Sequence, residues 1–364
     1  MMKKKIFRIA VVGGDWGKGG GRPSSYIGKL AGALSGFGNE LEVHNGGRYP
    51  QLAELLDGRL AGSDAIVWMA NVPNELPKIR DVKIAYPHTL FVSSKRNNSE
   101  YTFQALINRA LLQKANLCID FRRNGGVVSG RLFDPLGVVW QDYTSDIPIL
   151  AHALSGRLHE LKLFTRERSE KLEGTAGPVP PQPEFFALVK DYGKIFHSLV
   201  MPEEGVTRFL GNASFRGKDG RIYVSRRNVD KRTIHESSFV EVEYRGDGMV
   251  YYFGDHKPSV DSPIQVRLYR ELPNINFMLH AHVYLENTPM TKYPVPCGAL
   301  EEVKEVLSLI SDTNVGFARV NLMGHGCIVF ANRASKLEHL RFVARPMPEF
   351  MHGARQDRTT NKLV

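Results

Sequence analysis

Four prolines fall within the eleven residues Glu173-Gly174-Thr175-Ala176-Gly177-Pro178-Val179-Pro180-Pro181-Gln182-Pro183. Each proline lacks a backbone N–H and fixes φ, so such a run carries neither a helix interior nor a central strand. The chain is therefore read as two folding units joined at this segment. The boundaries expected are residues 1–170 for a first domain, 171–184 for a linker, 185–345 for a second domain and 346–364 for a flexible tail. At 364 residues in all, each half is long enough to bury its own core. An apolar fraction of 42%, with 34 Gly and 20 Pro, excludes a collagen repeat, a disulfide scaffold and wholesale disorder. Cys118, Cys297 and Cys327 form no C-x-x-C, which fits a reducing compartment, so the cytoplasm is the expected location.

Met1-Met2-Lys3-Lys4-Lys5 and the apolar residues 6–12 have the outline of an export signal, but Arg8 interrupts the run and Gly13-Gly14-Asp15 ends it. No window approaches the 18 or so apolar residues of a membrane span, so no membrane is expected as a partner. The net charge is +10, and residues 1–170 hold 23 Lys/Arg against 16 Asp/Glu. These basic residues are dispersed and lack interleaved aromatics, which argues against nucleic acid as the partner and leaves small phosphorylated or acidic ligands.

In the first domain, apolar runs at 6–12, 41–43, 65–69, 89–92 and 117–121 alternate with helical patterns at 51–60 and 101–114. The alternation predicts βα units around a mostly parallel sheet. Beyond the prolines, helices are expected at 185–199, 264–271 and 300–310. Strands are expected at 221–224, 239–244, 276–284, 318–322 and 327–331, so the second domain is also α/β.

The chemistry-bearing residues gather in the second domain. His280 and His282 sit two apart in an apolar, strand-like run, where period 2 places both imidazoles on one face, close enough to share a metal ion. His325 lies between Gly324 and Gly326, residues that let a backbone bend tightly and approach a site closely. Ser259, Asp261 and Ser262 precede an amphipathic helix, with Ser262 suited to its N-cap and Pro263 to its first turn. Capping, anion binding and proton transfer are all open to such residues.

In order, Gly211-Asn212-Ala213-Ser214-Phe215-Arg216, Lys257-Pro258-Ser259-Val260-Asp261, His280-Ala281-His282, Pro296-Cys297-Gly298 and Gly324-His325-Gly326 resemble the class II aldolase/adducin family over residues 185–345. That resemblance implies an α/β/α domain and a divalent metal, Zn2+ or another such as Mn2+ or Co2+, on His280, His282 and His325. It gives Asp261 the family's acidic, proton-shuttling role, and it implies a homo-oligomer, a tetramer with sites between subunits. Three neutral imidazoles leave a metal its full charge and open coordination positions for a hydroxyketone, and retro-aldol cleavage through a metal-stabilised enediolate is the reaction such a site favours. The expected activity is thus a lyase making or breaking a C–C bond in a small phosphorylated or acidic hydroxycarbonyl compound. Asp261 followed by Pro263 looks more like the ribulose-phosphate 4-epimerase branch, and a non-catalytic, adducin-like ligand-binding protein is the competitor from another class.

Val260 stands where the family has a second serine, and Gln265 where it commonly has a histidine. Ser225-Arg226-Arg227-Asn228 corresponds to its phosphate turn. Asn212, Ser214, Ser225, Arg226, Arg227 and Ser259 are accordingly the expected substrate-binding residues, with the two guanidiniums in place of glycine amides. In the first domain, Gly13-Gly14-Asp15-Trp16-Gly17-Lys18-Gly19-Gly20-Gly21 matches neither dinucleotide nor P-loop fingerprints. Pro23-Ser24-Ser25 with Gly28-Lys29-Leu30-Ala31, residues 64–72 and residues 114–119 distantly resemble the phosphopantothenoylcysteine synthetase fold, a Rossmann-like nucleotide binder. A nucleotide is the partner that this resemblance implies. Lys95-Arg96-Asn97, after a strand, is a second candidate anion site.

Overall fold

The computed structural model describes residues 7–14, 25–56, 58–69, 86, 88–96, 101–174, 177–200 and 210–350. The glycine-rich stretch beyond Gly14, Ser24, residues 70–72, Asn97 and the tail from residue 351 lie outside that set. The chain packs as two units, Met1–Leu163 with Met347–Val364, and Phe164–Pro346.

The first unit contains β1 (Phe7–Gly13), α1 (Ser25–Ser35), β2 (Asn39–His44), α2 (Tyr49–Leu56), β3 (Ala65–Met69), β4 (Leu90–Arg96), α3 (Phe103–Leu112), β5 (Leu117–Asn124), β6 (Val127–Phe133), β7 (Val138–Thr144) and α4 (Ile147–Leu163). Strands β2-β1-β3-β4-β5 are parallel neighbours in that order. β3 is buried along its whole length, as a strand covered on both faces must be. β6 and β7 extend the sheet antiparallel, and in the turn from β5 into β6 Gly125 and Gly126 take φ of 54° and 89°. Left-handed φ at both central residues is what a tight hairpin turn requires. The sequence pattern does not anticipate α4. That helix starts behind Asp146, whose carboxylate accepts the Ile149 N–H at 3.2 Å.

The second unit contains β8 (Arg168–Lys171), α5 (Pro183–Val200), β9 (Asn212–Arg216), β10 (Ile222–Ser225), β11 (Phe239–Tyr244), β12 (Met249–Tyr252), α6 (Ser262–Glu271), β13 (Phe277–Ala281), β14 (Tyr284–Leu285), α7 (Glu301–Leu307), β15 (Phe317–Leu322), β16 (Gly326–Ala331) and β17 (Phe342–Val343). Eight of these strands form one sheet in the order β15-β16-β13-β9-β10-β11-β12-β8, antiparallel except where β8 meets β12. Because β8 pairs into this sheet, the division between units falls at Leu163/Phe164, ahead of the proline segment where the composition places it. Likewise β18 (Glu349–Phe350) pairs with β7 of the first unit, within the expected flexible tail.

Period-2 alternation gives this sheet two apolar faces. Ala213, Phe215, Leu279, Ala281, Cys327 and Val329 pack beneath α5, against Phe185, Phe186 and Val189. Met278, Ile328 and Phe330 face the other way, toward Ile264, Leu268 and Tyr269 of α6 and Val303 and Val306 of α7. The result is the α/β/α layering that the resemblance implies, and it puts Asn212 and His280, one residue away from Ala213 and Ala281, on the α6 face. Among the described residues no helix is long and apolar enough to cross a membrane.

Candidate metal centre

Three imidazoles converge at one end of the β13–β16 pair. The His280, His282 and His325 ring centroids lie 4.7–5.1 Å apart, and one ring nitrogen from each lies within 4.8 Å of the other two. His280 is the next-to-last residue of β13, and its Nδ1 donates to the Cys327 carbonyl at 2.9 Å. His282 lies just past the strand, in a bend, so the trio depends on chain reversal more than on strand periodicity. His325 is brought in by the turn before β16. A Cβ at Gly326 would stand 2.0 Å from the Ala281 carbonyl oxygen and 2.7 Å from the His282 Cα. Only glycine permits that approach.

Every ring keeps a nitrogen buried and without a hydrogen-bond partner: His280 Nε2, His282 Nδ1 and His325 Nε2. Buried polar atoms are normally satisfied, so three orphaned lone pairs at one place are the pattern left by a ligand set for a cation. Burial pushes the His280 imidazole down to about 4, with neighbouring His325 adding to the effect. His282 is driven well below its ordinary value by burial and by the other two histidines. Both rings are therefore neutral, the form that ligates metal. His325 Nδ1 donates to Glu302 Oε1 at 2.7 Å, and the Glu302 charge raises this imidazole against the effect of burial. Such an outer carboxylate holds the proton on Nδ1 and leaves Nε2 to face the other rings.

Asp261 adjoins the trio, its Oδ2 lying 3.9 Å from His280 Nε2. It takes the N-cap place of α6 in preference to Ser262, but its side chain caps nothing. Instead Oδ2 accepts from Asn212 Nδ2 at 3.0 Å and Oδ1 from the Cys297 thiol at 3.1 Å. Burial would raise this carboxyl, yet His280, His325, Cys297 and the Gly298 N–H together hold it below the usual range. Asp261, Cys297 and His325 also bring ligand atoms within 4.8 Å of one another.

The expected substrate-binding residues separate into two groups. Asn212 Nδ2 also donates to Ser259 Oγ at 3.2 Å, and Gln265 Nε2 donates to Asn212 Oδ1, so these three side chains and Asp261 form one network. Arg227 lies within electrostatic reach of Asp261 and Cys297. Ser225 is fully buried, its hydroxyl accepting the Ala213 N–H at 3.1 Å. Ser214 is not brought to the centre, because its hydroxyl is buried against that of Tyr269 at 3.1 Å. Arg226, expected beside Arg227, lines a separate cavity of about 400 Å³ with Glu236, Phe239 and Phe253. Consecutive residues leaving a strand point to opposite faces, which parts the two guanidiniums. No sequence motif marks Glu302 or Lys231, and Gln265 is marked only as a departure from the family's histidine. Glu302 lies 23 residues before its partner His325, with no spacing signal between them.

An α/β/α domain with a buried three-histidine cluster beside a carboxylate is the class of protein that this fold and site define. Residues 195–288 match the family model of the Class II Aldolase and Adducin N-terminal domain. The second unit is thus similar to that family, and the match includes His280 and His282 but ends short of Cys297, Glu302 and His325. No curated protein matches the chain. Among solved structures, an L-fuculose 1-phosphate aldolase is 18% identical, with 44% of this chain and 84% of that one covered and a TM-score of 0.32. A putative aldolase/epimerase/decarboxylase from Escherichia coli is 18% identical, with 42% and 84% covered and a TM-score of 0.30. A DNA/pantothenate metabolism flavoprotein from Streptococcus pneumoniae is 13% identical, with 43% and 99% covered and a TM-score of 0.34.

Proposed function

We propose that the second unit is a divalent-metal-dependent lyase of the aldolase type, acting on a small phosphorylated or acidic hydroxycarbonyl compound. The observation that carries this reading is the trio of buried imidazoles with orphaned nitrogens, for which a neutral packing role offers no partner. A zinc or similar ion held by His280, His282 and His325 supplies fixed positive charge beside the oxygens of a bound hydroxyketone. Asp261, held ionised, takes the proton from the substrate hydroxyl as the C–C bond breaks and returns it to the carbon end of the fragment. Asn212 and Ser259 fix the carboxylate's orientation, and Arg227 offers the charge for an anionic substituent.

Metal content per chain tests this directly. About one divalent ion in the wild type, lost in His282→Ala, supports the reading, and no metal in either after reconstitution overturns it. Incubation with ketose phosphates then separates the reactions: a free aldehyde fragment marks a lyase, and a stereoisomer without fragments marks the epimerase alternative. A metal-loaded protein that transforms no such compound favours the adducin-like binding role. The family resemblance supports a homo-oligomer, tested by light scattering. The absence of any cysteine pairing among Cys118, Cys297 and Cys327 supports the cytoplasm.

A second reading concerns the first unit, where Lys95, Asp120 and Arg131 are register neighbours across β4, β5 and β6 and so share one face. Arg122 and Arg131 stack on the Tyr143 ring at 4.2 and 4.1 Å, and the Tyr143 hydroxyl donates to Asp120. Lys95 and Arg122 stand near the carboxyl ends of the parallel strands β4 and β5, where open α/β sheets take ligands, and Arg131 adjoins them from the antiparallel β6. They support a phosphate-bearing ligand such as a nucleotide, and loss of nucleotide binding in Lys95→Met is the expected result. Equal binding by the variant refutes this reading.

A further inference from the structure

His325 is held at its backbone as well as at its ring. Arg345, buried just beyond β17, donates from Nη1 to the His325 carbonyl at 3.1 Å and from Nη2 to the Gly324 carbonyl at 3.0 Å. The Gly324 N–H donates to the Tyr284 hydroxyl at 3.0 Å, and the Arg345 guanidinium lies 5.6 Å from the centroid of the Tyr284 ring. Tyr284 belongs to β14, which pairs with β17, so this small ribbon carries both groups that grip the turn. Gly324 has φ of 69°, a conformation with no side-chain contact of its own to maintain it. Burying a guanidinium is costly, and placing one near a site for a dication adds repulsion. An apolar residue would fill that space at lower electrostatic cost, but it could not fork two carbonyls.

We propose that Arg345 is a positioning residue of the metal centre: its fork across the Gly324 and His325 carbonyls sets the turn so that His325 Nε2 meets the other two imidazoles, with the Tyr284 hydroxyl closing the turn from the amide side. The proposal rests on the reading of the trio as a metal site. It assigns a role to a residue 57 positions beyond the end of the family match, by the difference between residues 345 and 288.

The test uses the full chain with Co2+ as probe, reading both the dissociation constant by chelator competition and the visible d–d spectrum. Arg345→Ala is expected to bind Co2+ about 10- to 100-fold more weakly, with an altered spectrum, as for the loss of other groups that orient ligands. Millimolar guanidinium should restore both readouts in Arg345→Ala and change neither in the wild type. Arg345→Lys should recover them only in part, because one ammonium cannot span two carbonyls in a planar fork. If Arg345→Ala does not fold, the spectrum of Arg345→Lys decides, and a wild-type spectrum and affinity there overturn the proposal. So does a folded Arg345→Ala that binds Co2+ as the wild type does. Failure of the wild type itself to bind Co2+ overturns the metal-site reading beneath it, a distinct result.

Discussion

Removing the carboxylate behind His325 should weaken metal binding by a predictable amount. Glu302 is 4% exposed at the start of α7, and its Oε1 accepts the His325 Nδ1 proton at 2.7 Å. Glu302→Ala deletes that acceptor in a site closed to water, so the ring loses both its tautomer preference and its orientation. Outer partners of this kind are worth about 10- to 100-fold in metal affinity, or roughly 1.4–2.7 kcal/mol. The metal-free fold loses stability as well, since an unsatisfied buried N–H costs about 1–3 kcal/mol. Glu302→Gln keeps an oxygen acceptor of the same shape and removes only the charge, so its zinc affinity should lie between those of the wild type and Glu302→Ala. Equilibrium competition against a chromophoric chelator measures the three constants, and thermal melts of metal-free protein give the stability part. Zinc binding by a folded Glu302→Ala within about twofold of the wild type would refute the argument that this carboxylate orients the ligand.

Gly326→Ala drives a Cβ to within 2.0 Å of the Ala281 carbonyl oxygen, a backbone atom that cannot swing aside. A loss above about 3 kcal/mol, with zinc stoichiometry falling alongside it, is expected in denaturant titration, and an unchanged midpoint would contradict it. Asp261→Asn keeps the shape and the Asn212 neighbour but cannot accept a proton, so turnover of a substrate should fall by about 10²–10⁴ with zinc retained. Loss of zinc in that variant would make Asp261 a ligand instead. Burial pushes the Lys231 ammonium down from 10.5 to about 7. Between those values the unfolded chain holds a proton that the fold has released, so this group makes stability rise with pH. Lys231→Met should therefore be the more stable protein at pH 7, with its advantage over wild type shrinking by roughly 2 kcal/mol by pH 9 in urea titrations. An advantage independent of pH would show that the lysine is not titrating there.

The parts of the centre legible in the sequence are those that depend on short spacing. His280-x-His282, Gly324-His325-Gly326 and the acidic residue before α6 are each recognisable within a few residues, and the structure brings all of them together. The substrate side is less legible, for a physical reason. Ser214 and Arg226 are polar residues in matching motif positions, but whether a hydroxyl meets Tyr269 or an arginine follows Arg227 depends on sheet face and strand exit. Element boundaries shifted similarly. Prolines mark where regular structure stops, yet β8, four polar residues with no apolar alternation, joins the second sheet from before them because β12 offers it an edge. The turn from β5 into β6 carries two glycines, yet β6 and β7 show no clean apolar alternation, and α4 is apolar enough around its circumference to hide its period.

The sequence by itself determined two α/β halves and a histidine–carboxylate set of recognisable order, because alternation, capping and turn chemistry act over ranges of two to a dozen residues. Tertiary structure alone decided which polar groups serve that set. Glu302 behind His325, Gln265 and Ser259 around Asn212, Cys297 on Asp261 and Arg345 over the Gly324 turn are partners separated by 21 to 53 residues. Burial of the imidazoles and the carboxylate makes each unmet hydrogen bond costly, and the folded chain meets those demands with whichever distant groups the sheet and its two helical layers deliver.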